Sequence, residues 1–324
     1  MKRMNNLYQN ICKYENILES FNEVKRNTKN KRRVFNMSQY KSIYIERVHK
    51  TLVEKNYKVG PYIKFVIKEP KERLIVSQNI QDKIINHLVA RYILYPAILP
   101  CLLDVNVASR KNLGTSAGLS LANDYRRKCN IKYKDYYILK CDIHHFFASI
   151  DHNILKQKVL RRIKDKDALK IVFDIIDSNL EGLNIGAMTS QILAIFYLND
   201  MDHFIKEKLK IKYYVRYQDD FLLFHHSKNY LKYCLTELKQ FLKNEKLELN
   251  IKTRIYKNTN NYIFLGRNKN NKYARYRNVK RKLKSKYYLY KTNKIPFNSF
   301  ISSLICYKGL LNKDKIFKDN FFNK

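Results

Sequence analysis

Acidic residues are scarce in this chain of 324 amino acids. Asp and Glu together number 28, against 65 Lys and Arg, so the formal net charge is +37. A surface this basic repels itself, which favours a polyanion as the partner that balances the charge. AT-rich codon usage accounts for part of the Lys content, but it does not explain the shortage of acids. Because 45% of the residues are hydrophobic, the composition excludes a disordered chain and predicts a real core.

Paired cysteines are missing as well. The chain has no CxxC pair and no His/Cys cluster with zinc spacing, which excludes a zinc ribbon and a dense disulfide framework. The histidine pairs at 144–145 and 225–226 also lack partners at ligand spacing, so surface or packing roles are expected for them. Six separate cysteines indicate buried thiols of a reducing compartment: Cys12, Cys101, Cys129, Cys141, Cys234 and Cys306.

Long hydrophobic runs are absent. The first ten residues, MKRMNNLYQN, contain no apolar stretch, so no signal peptide is expected. The longest apolar run, ILAIFYL, is far shorter than a membrane span. The chain also lacks internal repeats and flexible Gly/Ser linkers. These absences predict a cytoplasmic protein without membrane contact, built as about two domains or one composite domain.

The remaining pattern alternates helices with short strands. A helix with a cap at Ser38 is predicted within a basic, helical segment that extends to about residue 60. The later elements follow in order. They are a hairpin over 60–77 that turns at Glu69–Lys71, helices from Gln78 and Ser116, a strand ending at Asp142, helices from Asp151 and Ser190, a hairpin over 213–225, a helix over 229–246, a strand YIFLGR and a last helix from Ser299.

Two of the few acids, Asp219 and Asp220, stand at the turn of the hairpin YYVRYQDDFLLFH. Adjacent carboxylates repel each other, which raises one pKa or demands a cation nearby. Mg²⁺ is a hard ion that binds one or two carboxylates together with phosphate oxygens and water. A third acid at the end of another buried strand, Asp142, would complete a two-metal site. Alternatively, the two acids form an ordinary polar turn.

The chain as a whole resembles the reverse transcriptases. YQDD at 217–220 is similar to their YxDD box, and DIHHFFASIDH at 142–152 is similar to their first palm motif. Other motifs follow in the family's order at compatible spacings: KEPKERLI at 68–75, SRKNLGTSAG at 109–118, IGAMTSQILAIFYLNDMD at 185–202 and FLGR at 264–267. The resemblance extends over nearly the whole chain, from about residue 7 to about residue 310.

This resemblance implies an α+β right-hand polymerase with fingers, a palm built on an antiparallel sheet, and a short helical thumb. N-terminal helices and fingers would occupy residues 1–130, and the palm with the catalytic carboxylates would occupy 131–250. Residues 251–324 would hold the primer-grip strand and a basic helical thumb. The segment 252–294, with 15 Lys or Arg and no acid, would contact the template–primer duplex through phosphates.

The implied activity is RNA-templated DNA synthesis by two Mg²⁺ ions, or by Mn²⁺ in their place. Asp142, Asp219 and Asp220 would be catalytic, and the backbone carbonyl of Ile143 would join Asp142 and Asp219 as a metal ligand. The implied nucleotide-binding residues are Arg73 and Arg110 on the triphosphate, Phe147 as a sugar gate, and Ile185, Gly186 and Gln191. The implied primer and template contacts are Phe264, Leu265, Gly266 and Arg267, the last at a position where the family often has an aromatic residue.

One residue indicates the subtype. Most bacterial members have Gln-Gly where this chain has Ile185–Gly186, and IGAMTSQ resembles the enzymes of diversity-generating retroelements. That group implies error-prone cDNA synthesis at template adenines and a small basic helical accessory protein assembled as a ring. Template RNA, a primer–template duplex and dNTPs are the other implied partners. A group II intron, retron or phage-defence enzyme remains an alternative, and so does a catalytically dead RNA-binding module.

Overall fold

The structure is a computed structural model that describes residues 3–67, 73–270 and 276–311. The chain divides into two compact units, one of residues 1–64 and 76–259 and the other of residues 65–75 and 260–324. The predicted turn at Glu69–Lys71 lies outside the described residues, and the boundaries expected for fingers, palm and thumb remain a prediction.

The described part of the first unit is mainly helical. Its helices are α1 (Tyr8–Cys12), α2 (Tyr14–Asn27), α3 (Lys31–Gln39), α4 (Lys41–Val53), α5 (Ile80–Val89), α6 (Tyr95–Ile98), α7 (Thr115–Lys132), α8 (Phe146–Ser149), α9 (His152–Leu160), α10 (Lys166–Asp177), α11 (Met188–Tyr197), α12 (Asn199–His203) and α13 (Lys228–Asn244). The second unit contains α14 (Tyr276–Lys291) and α15 (Phe297–Leu311).

Short strands complete the fold. The hairpin of β1 (Ile63–Ile67) and β2 (Arg73–Ser77) forms one two-stranded sheet. The sheet of the first unit contains β3 (Tyr137–Cys141), β4 (Tyr213–Tyr217), β5 (Asp220–His225) and β6 (Arg254–Lys257), and the second unit contains the pair β7 (Ile263–Phe264) and β8 (Arg267–Asn268).

Side-chain caps explain where several helices begin. Asn79, Asp151, Asp165 and Ser227 each accept a hydrogen bond from a backbone N–H in the first turn of α5, α9, α10 and α13, respectively. The predicted cap at Ser38 is wrong, because Ser38 lies inside α3 and donates its hydroxyl to a backbone carbonyl one turn earlier.

The four-stranded sheet has the order β4-β5-β3-β6, and its neighbouring strands are antiparallel. Successive side chains along each strand point to opposite faces of the sheet. One face enters the main core through Leu139, Cys141, Phe221, Leu223 and Tyr214. Lys140 belongs to the opposite face, because it alternates with Leu139 and Cys141 along β3. The sheet is therefore an antiparallel palm-like layer, anchored on one side by a large apolar core.

Two apolar segments differ from their predicted forms. The helix expected from Ser190 onward is interrupted at Leu198, so it divides into α11, α12 and a π-helical turn over Phe204–Lys208. YIFLGR is a tight hairpin instead of one strand, because Leu265 and Gly266 both adopt positive φ and reverse the chain between β7 and β8.

Among the described residues, one continuous helical stretch, Ile80–Cys101, has the length and hydropathy of a membrane span. More than half of it is buried inside the protein, and Ile84, Ile85, Leu88 and Ile93 are fully inaccessible core residues. Its apolar character is thus accounted for by the core. The cysteines are all free; three are buried as expected, whereas Cys306 is exposed.

Candidate active site

The register of β3 and β5 brings the predicted acids to one edge of the sheet. Cys141 pairs with Phe221, so the next residues of the two antiparallel strands, Asp142 and Asp220, face each other across the ladder. Tyr217 pairs with Asp220 and closes the turn that contains Asp219. Three carboxylates that are up to 78 positions apart in the sequence therefore meet at the end of the sheet.

Asp219 is the acid whose protonation is most altered. Burial is the largest cause, and together with the neighbouring charges of Asp142 and Asp220 it raises the pKa of the Asp219 carboxyl to about 6. The middle residues of β4 and β5 are buried, and Tyr217 and Asp220 beside the tip are only partly exposed, so water screens this repulsion incompletely. A cation between the carboxylates would lower the free energy of their ionised form.

Lys140 is a site residue that the motifs did not reveal. Its Nζ lies 2.9 Å from Oδ1 of Asp220, and the two side chains are only 18% and 22% exposed. Lys140 precedes Asp142 by two positions, so both side chains leave the same face of β3. That spacing was the available signal. The third carboxylate is therefore neutralised by the chain itself, and Asp142 and Asp219 remain as the acidic pair.

The backbone after β3 is held in place on its β6 side. The carbonyl of Asp142 accepts from the N–H of Asn250 at 2.7 Å, and the N–H of His144 donates to the carbonyl of Glu248 at 2.8 Å. These bonds flank the bridge between Ile143 and Leu249. Because Asp142 and His144 make the hydrogen bonds on either side, Ile143 uses neither its N–H nor its carbonyl to pair with Leu249. The carbonyl of Ile143 therefore faces the β5 side of the strand.

The hairpin tip is kept in an unfavourable backbone conformation. Gln218 has a φ of 55°, a left-handed value that residues with a Cβ seldom adopt. Two hydrogen bonds compensate: its side-chain amide donates to the Ser109 hydroxyl at 2.9 Å, and its carbonyl accepts from Arg216 at 3.0 Å. The position of Asp219 thus depends on the loop before α7 and on the side chain of Arg216.

Arg216 itself belongs to a buried network beneath the tip. Its guanidinium binds both carboxylate oxygens of Asp202, and neither side chain is exposed to solvent. The Tyr214 hydroxyl donates to the same carboxylate at 2.6 Å, and the Ile195 carbonyl accepts from Arg216. Because each charge here has a partner, the network is satisfied although it is dry.

The segment 105–107 pairs with the outer edge of β4, on the side away from β5. The N–H of Arg216 donates to the Val105 carbonyl at 2.8 Å, and the Arg216 carbonyl accepts from Val107 at 3.0 Å. Arg110 follows this segment and braces it, since its guanidinium donates to the carbonyls of Leu103 and Asn106, at 3.2 Å each. Its predicted contact with a triphosphate stays a prediction.

The other predicted nucleotide contacts lie on two neighbouring pieces of chain. Phe147 is half-buried in α8 and packs against the main core. Ile185 and Gly186 lie in the loop between α10 and α11, where Ile185 is 44% exposed and Gly186 has a φ of 114°. Gln191 is exposed on α11. These two pieces are joined through the carbonyl of Phe147, which accepts from Leu183 in the same loop.

The remaining predicted residues lie elsewhere. Arg73 begins β2, and its side chain is outside the described residues. Phe264, Leu265, Gly266 and Arg267 form the β7–β8 hairpin of the second unit, where Phe264 is buried. Their contacts with a primer or a template remain predictions.

The donor set fits a hard divalent cation. Within the described ranges, no group of three or more His, Cys, Asp or Glu side chains is arranged to hold a metal. Two carboxylates and one backbone carbonyl nevertheless match the way Mg²⁺ is bound, because this ion takes few protein ligands and completes its shell with substrate phosphates and water. The charges of Asp142 and Asp220, which add to burial in raising the pKa of Asp219, are a second sign that positive charge is favoured here.

We expect cation binding to depend on pH through Asp219. A free Asp has a pKa of 3.8, and the folded protein holds this proton up to about pH 6. The contribution of this carboxyl to stability is therefore fully present below pH 3.8 and is lost as the pH rises through about 6. The ionised form, which a cation stabilises, prevails above that value. Mg²⁺ or Mn²⁺ should raise the melting temperature more at about pH 7.5 than at about pH 5.

Thermal unfolding with and without the cation measures this difference. Asp219→Asn should remove the pH-dependent part of the shift. Asp124→Asn is the matched control, because Asp124 is a surface acid held by Lys128 and Arg127 on α7. A cation-induced shift of equal size at both pH values would contradict the expectation.

Comparisons with known proteins agree with this geometry. Residues 66–268 match the family model described as reverse transcriptase (RNA-dependent DNA polymerase). A comparison with curated proteins finds no match. The chain therefore belongs to the reverse transcriptase family of RNA-directed DNA polymerases, which are nucleotidyltransferases.

Solved structures show the same fold. Apo telomerase from Candida tropicalis, truncated from its C-terminal domain, is similar with a TM-score of 0.52 and 14% identity over 70% of this chain. Telomerase from Candida albicans, in complex with a TWJ fragment of telomeric RNA, is similar with a TM-score of 0.51 and 15% identity over 71% of this chain. The match spans 58% and 49% of those two chains, respectively.

Proposed function

We propose that this protein synthesises DNA on an RNA template by two-metal-ion nucleotidyl transfer. The observation that carries the proposal is the meeting of Asp142 and Asp219 at one sheet edge, with Asp220 already neutralised by Lys140. A plain RNA-binding module gains nothing from acids that repel a polyanion. Their retention in a chain of charge +37 argues against a catalytically dead protein.

Each residue then has a defined task. Asp142, Asp219 and the Ile143 carbonyl would hold the cations, and Asp220 with Lys140 would keep the rim of the sheet rigid. When bound, two Mg²⁺ ions lower the pKa of the primer 3′-hydroxyl and neutralise charge on the triphosphate, and Mn²⁺ could supply the same chemistry. Phe147 would exclude a ribose 2′-hydroxyl, and Gly186 would allow close backbone approach to the nucleotide.

Arginine side chains would bind the triphosphate, because the guanidinium fork matches phosphate oxygens. Arg73 and Arg110 are the candidates. Arg110 already donates to loop carbonyls, so it would need to exchange those bonds or extend its remaining N–H groups toward the phosphates. The hairpin at Phe264–Arg267 and the basic helix α14 would contact the template–primer duplex.

The same proposal includes error-prone synthesis in a diversity-generating retroelement, within the cytoplasm. Support comes from Ile185, an apolar side chain left 44% exposed at the position where a Gln would offer hydrogen bonds. A contact of this kind can enforce shape but cannot read polar groups, which would favour errors at template adenines. A small basic helical accessory protein ring would assist priming. The alternative is a reverse transcriptase of group II intron, retron or phage-defence type.

Primer extension tests the proposed activity. Purified protein, a DNA primer and a defined RNA template should yield full-length cDNA only when dNTPs and Mg²⁺ are all present. Omitting the template distinguishes the alternatives, because a defence enzyme that needs no separate template would still make DNA. Absence of synthesis in every combination, including with Mn²⁺ and with a candidate accessory protein, would contradict the proposal.

Ile185→Gln should lower misincorporation opposite template adenine, since the amide restores a polar contact to the nascent pair or the sugar. We expect an effect of about tenfold, equivalent to roughly 1.4 kcal/mol of discrimination. Sequencing of cDNA made on an RNA that contains all four bases provides the measurement. Ile185→Leu is the matched control, because it keeps an apolar side chain of similar volume. Equal error rates opposite template adenine in the Gln variant and the parent would show that Ile185 does not cause the misincorporation.

A further inference from the structure

The loop of residues 178–187 lies against α8 through its main chain. The N–H of Leu183 donates to the carbonyl of Phe147 at 2.7 Å. The outer part of the loop is exposed at Leu180 (102%) and Ile185 (44%), whereas its base is held by the buried side chains of Leu183 and Ala187. The position of Ile185 and Gly186 relative to Phe147 therefore depends on the few contacts at the base of the loop.

Gly182 makes the closest of these contacts. It has a φ of 61°, and a Cβ placed on it would lie 2.3 Å from the carbonyl oxygen of Phe147 and 2.6 Å from the Cα of Ala148. Any other residue would push the loop away from α8, because both obstacles are backbone atoms. The loop and α8 are therefore packed backbone to backbone at Gly182, without room for a side chain.

His152 supports Gly182 from the other side. It is the first residue of α9, and its Nε2 lies 2.7 Å from the Gly182 carbonyl oxygen. A carbonyl can only accept, so Nε2 must carry a proton and donate. Nδ1 lies 3.4 Å from Asp177, the last residue of α10, whose other carboxylate oxygen binds Lys156. The imidazole, 16% exposed, thereby links α9, α10 and the loop.

We propose that His152 is a positioning residue for the incoming nucleotide. By donating to the Gly182 carbonyl it holds the loop on α8, and so it sets the gap between Phe147 on one side and Ile185–Gly186 on the other. This inference rests on the proposed polymerase function, in which those residues face the sugar and the base pair. It assigns sugar selection and nucleotide affinity to a histidine outside the carboxylate site.

Two substitutions by amide side chains separate the contribution of Nε2 of His152 from that of Nδ1. In His152→Gln the amide nitrogen reaches about as far as Nε2 and can still donate to Gly182. In His152→Asn the shorter side chain can mimic only the Nδ1 side, toward Asp177. The Asn variant should raise KM for dNTPs about tenfold and reduce the preference for dNTPs over rNTPs, while the Gln variant stays within about twofold of the parent.

Hydrogen exchange at the Leu183 amide provides a readout that does not need catalysis. Exchange should be faster in His152→Asn than in the parent and should be restored in His152→Gln. Leu180→Ser, a change at an exposed position of the same loop, is the control and should alter neither exchange nor KM. A thermal midpoint near the parent value would confirm that the Asn variant folds.

The outcomes are distinct. Unchanged Leu183 exchange in His152→Asn would overturn the clamp, and faster exchange with unchanged KM and sugar preference would overturn its role in nucleotide positioning. A parent protein that makes no DNA would instead contradict the proposed function, and the exchange data alone would then decide whether His152 holds the loop.

Discussion

Asp219→Asn should lower the rate of primer extension by about a thousandfold, because removing one anionic ligand costs several kcal/mol of metal-dependent stabilisation. Asn keeps the size of the side chain and a carbonyl oxygen, so the hairpin tip should keep its shape. The substitution also removes the carboxyl whose pKa is raised by burial and by the charges of Asp142 and Asp220, so the fold should become no less stable. Binding of a template–primer duplex should stay close to that of the parent.

Two acids serve as comparisons for this measurement. Asp124→Asn makes the same charge change on the surface of α7 and should leave extension unchanged. Asp220→Asn should have an intermediate effect, because Asp220 is paired with Lys140 in the absence of any cation. If Asp219→Asn extended primers at the rate of the Asp124→Asn control, Asp219 would not be a metal ligand.

Arg216→Ala should lower the free energy of unfolding by about 3–5 kcal/mol, since it leaves the carboxylate of Asp202 buried without its counter-charge. Both side chains are completely inaccessible in the folded protein. The substitution also removes the donor to the Gln218 carbonyl, so the hairpin tip loses one of the two bonds that hold its left-handed residue. Urea denaturation followed by circular dichroism measures the change.

A combined variant distinguishes two causes of the lost stability: the loss of the Arg216–Asp202 ion pair itself, and the burial of the Asp202 carboxylate without a counter-charge. Arg216→Met with Asp202→Leu and Tyr214→Phe replaces the network by apolar groups and should cost less than Arg216→Ala alone. Lys55→Ala is the matched control at an exposed ion pair, where the Nζ of Lys55 lies 2.6 Å from Asp167. It should leave the free energy of unfolding close to that of the parent, because solvent screens an exposed ion pair. Equal losses in the Lys55 and Arg216 variants would contradict the structural role of the buried network.

The sequence predicted the part of the site that depends on local pattern. Apolar strands that border acids locate Asp142 and Asp219 at strand ends. The i, i+2 spacing of Lys140 and Asp142 could have identified the lysine too, because alternate residues share a face. The antiparallel sheet that the resemblance implied for the palm is confirmed.

Contacts between segments that are distant in the sequence could not be predicted from the local sequence pattern. Nothing in the sequence around His152 reveals that its ring meets a carbonyl 30 positions later, and the need for glycine at 182 arises only from the nearby backbone of α8. Backbone conformation explains the two wrong element predictions. Leu265 takes a left-handed φ that its residue type disfavours, and the break at Leu198 occurs at the end of the apolar run ILAIFYL, where no Gly or Pro signals it.

Asp165 has a consequence for synthesis of the chain. Its carboxylate caps α10 and also accepts from the N–H groups of Leu7 and Tyr8, which lie 158 and 157 positions earlier. At about 5–20 residues per second, a ribosome would need about 8–30 seconds to supply this partner after the first helix emerges. The N–H groups of Leu7 and Tyr8 must therefore wait for their acceptor, whereas α1 and α2 can already pack against α4 and α5, which are made within the first hundred residues.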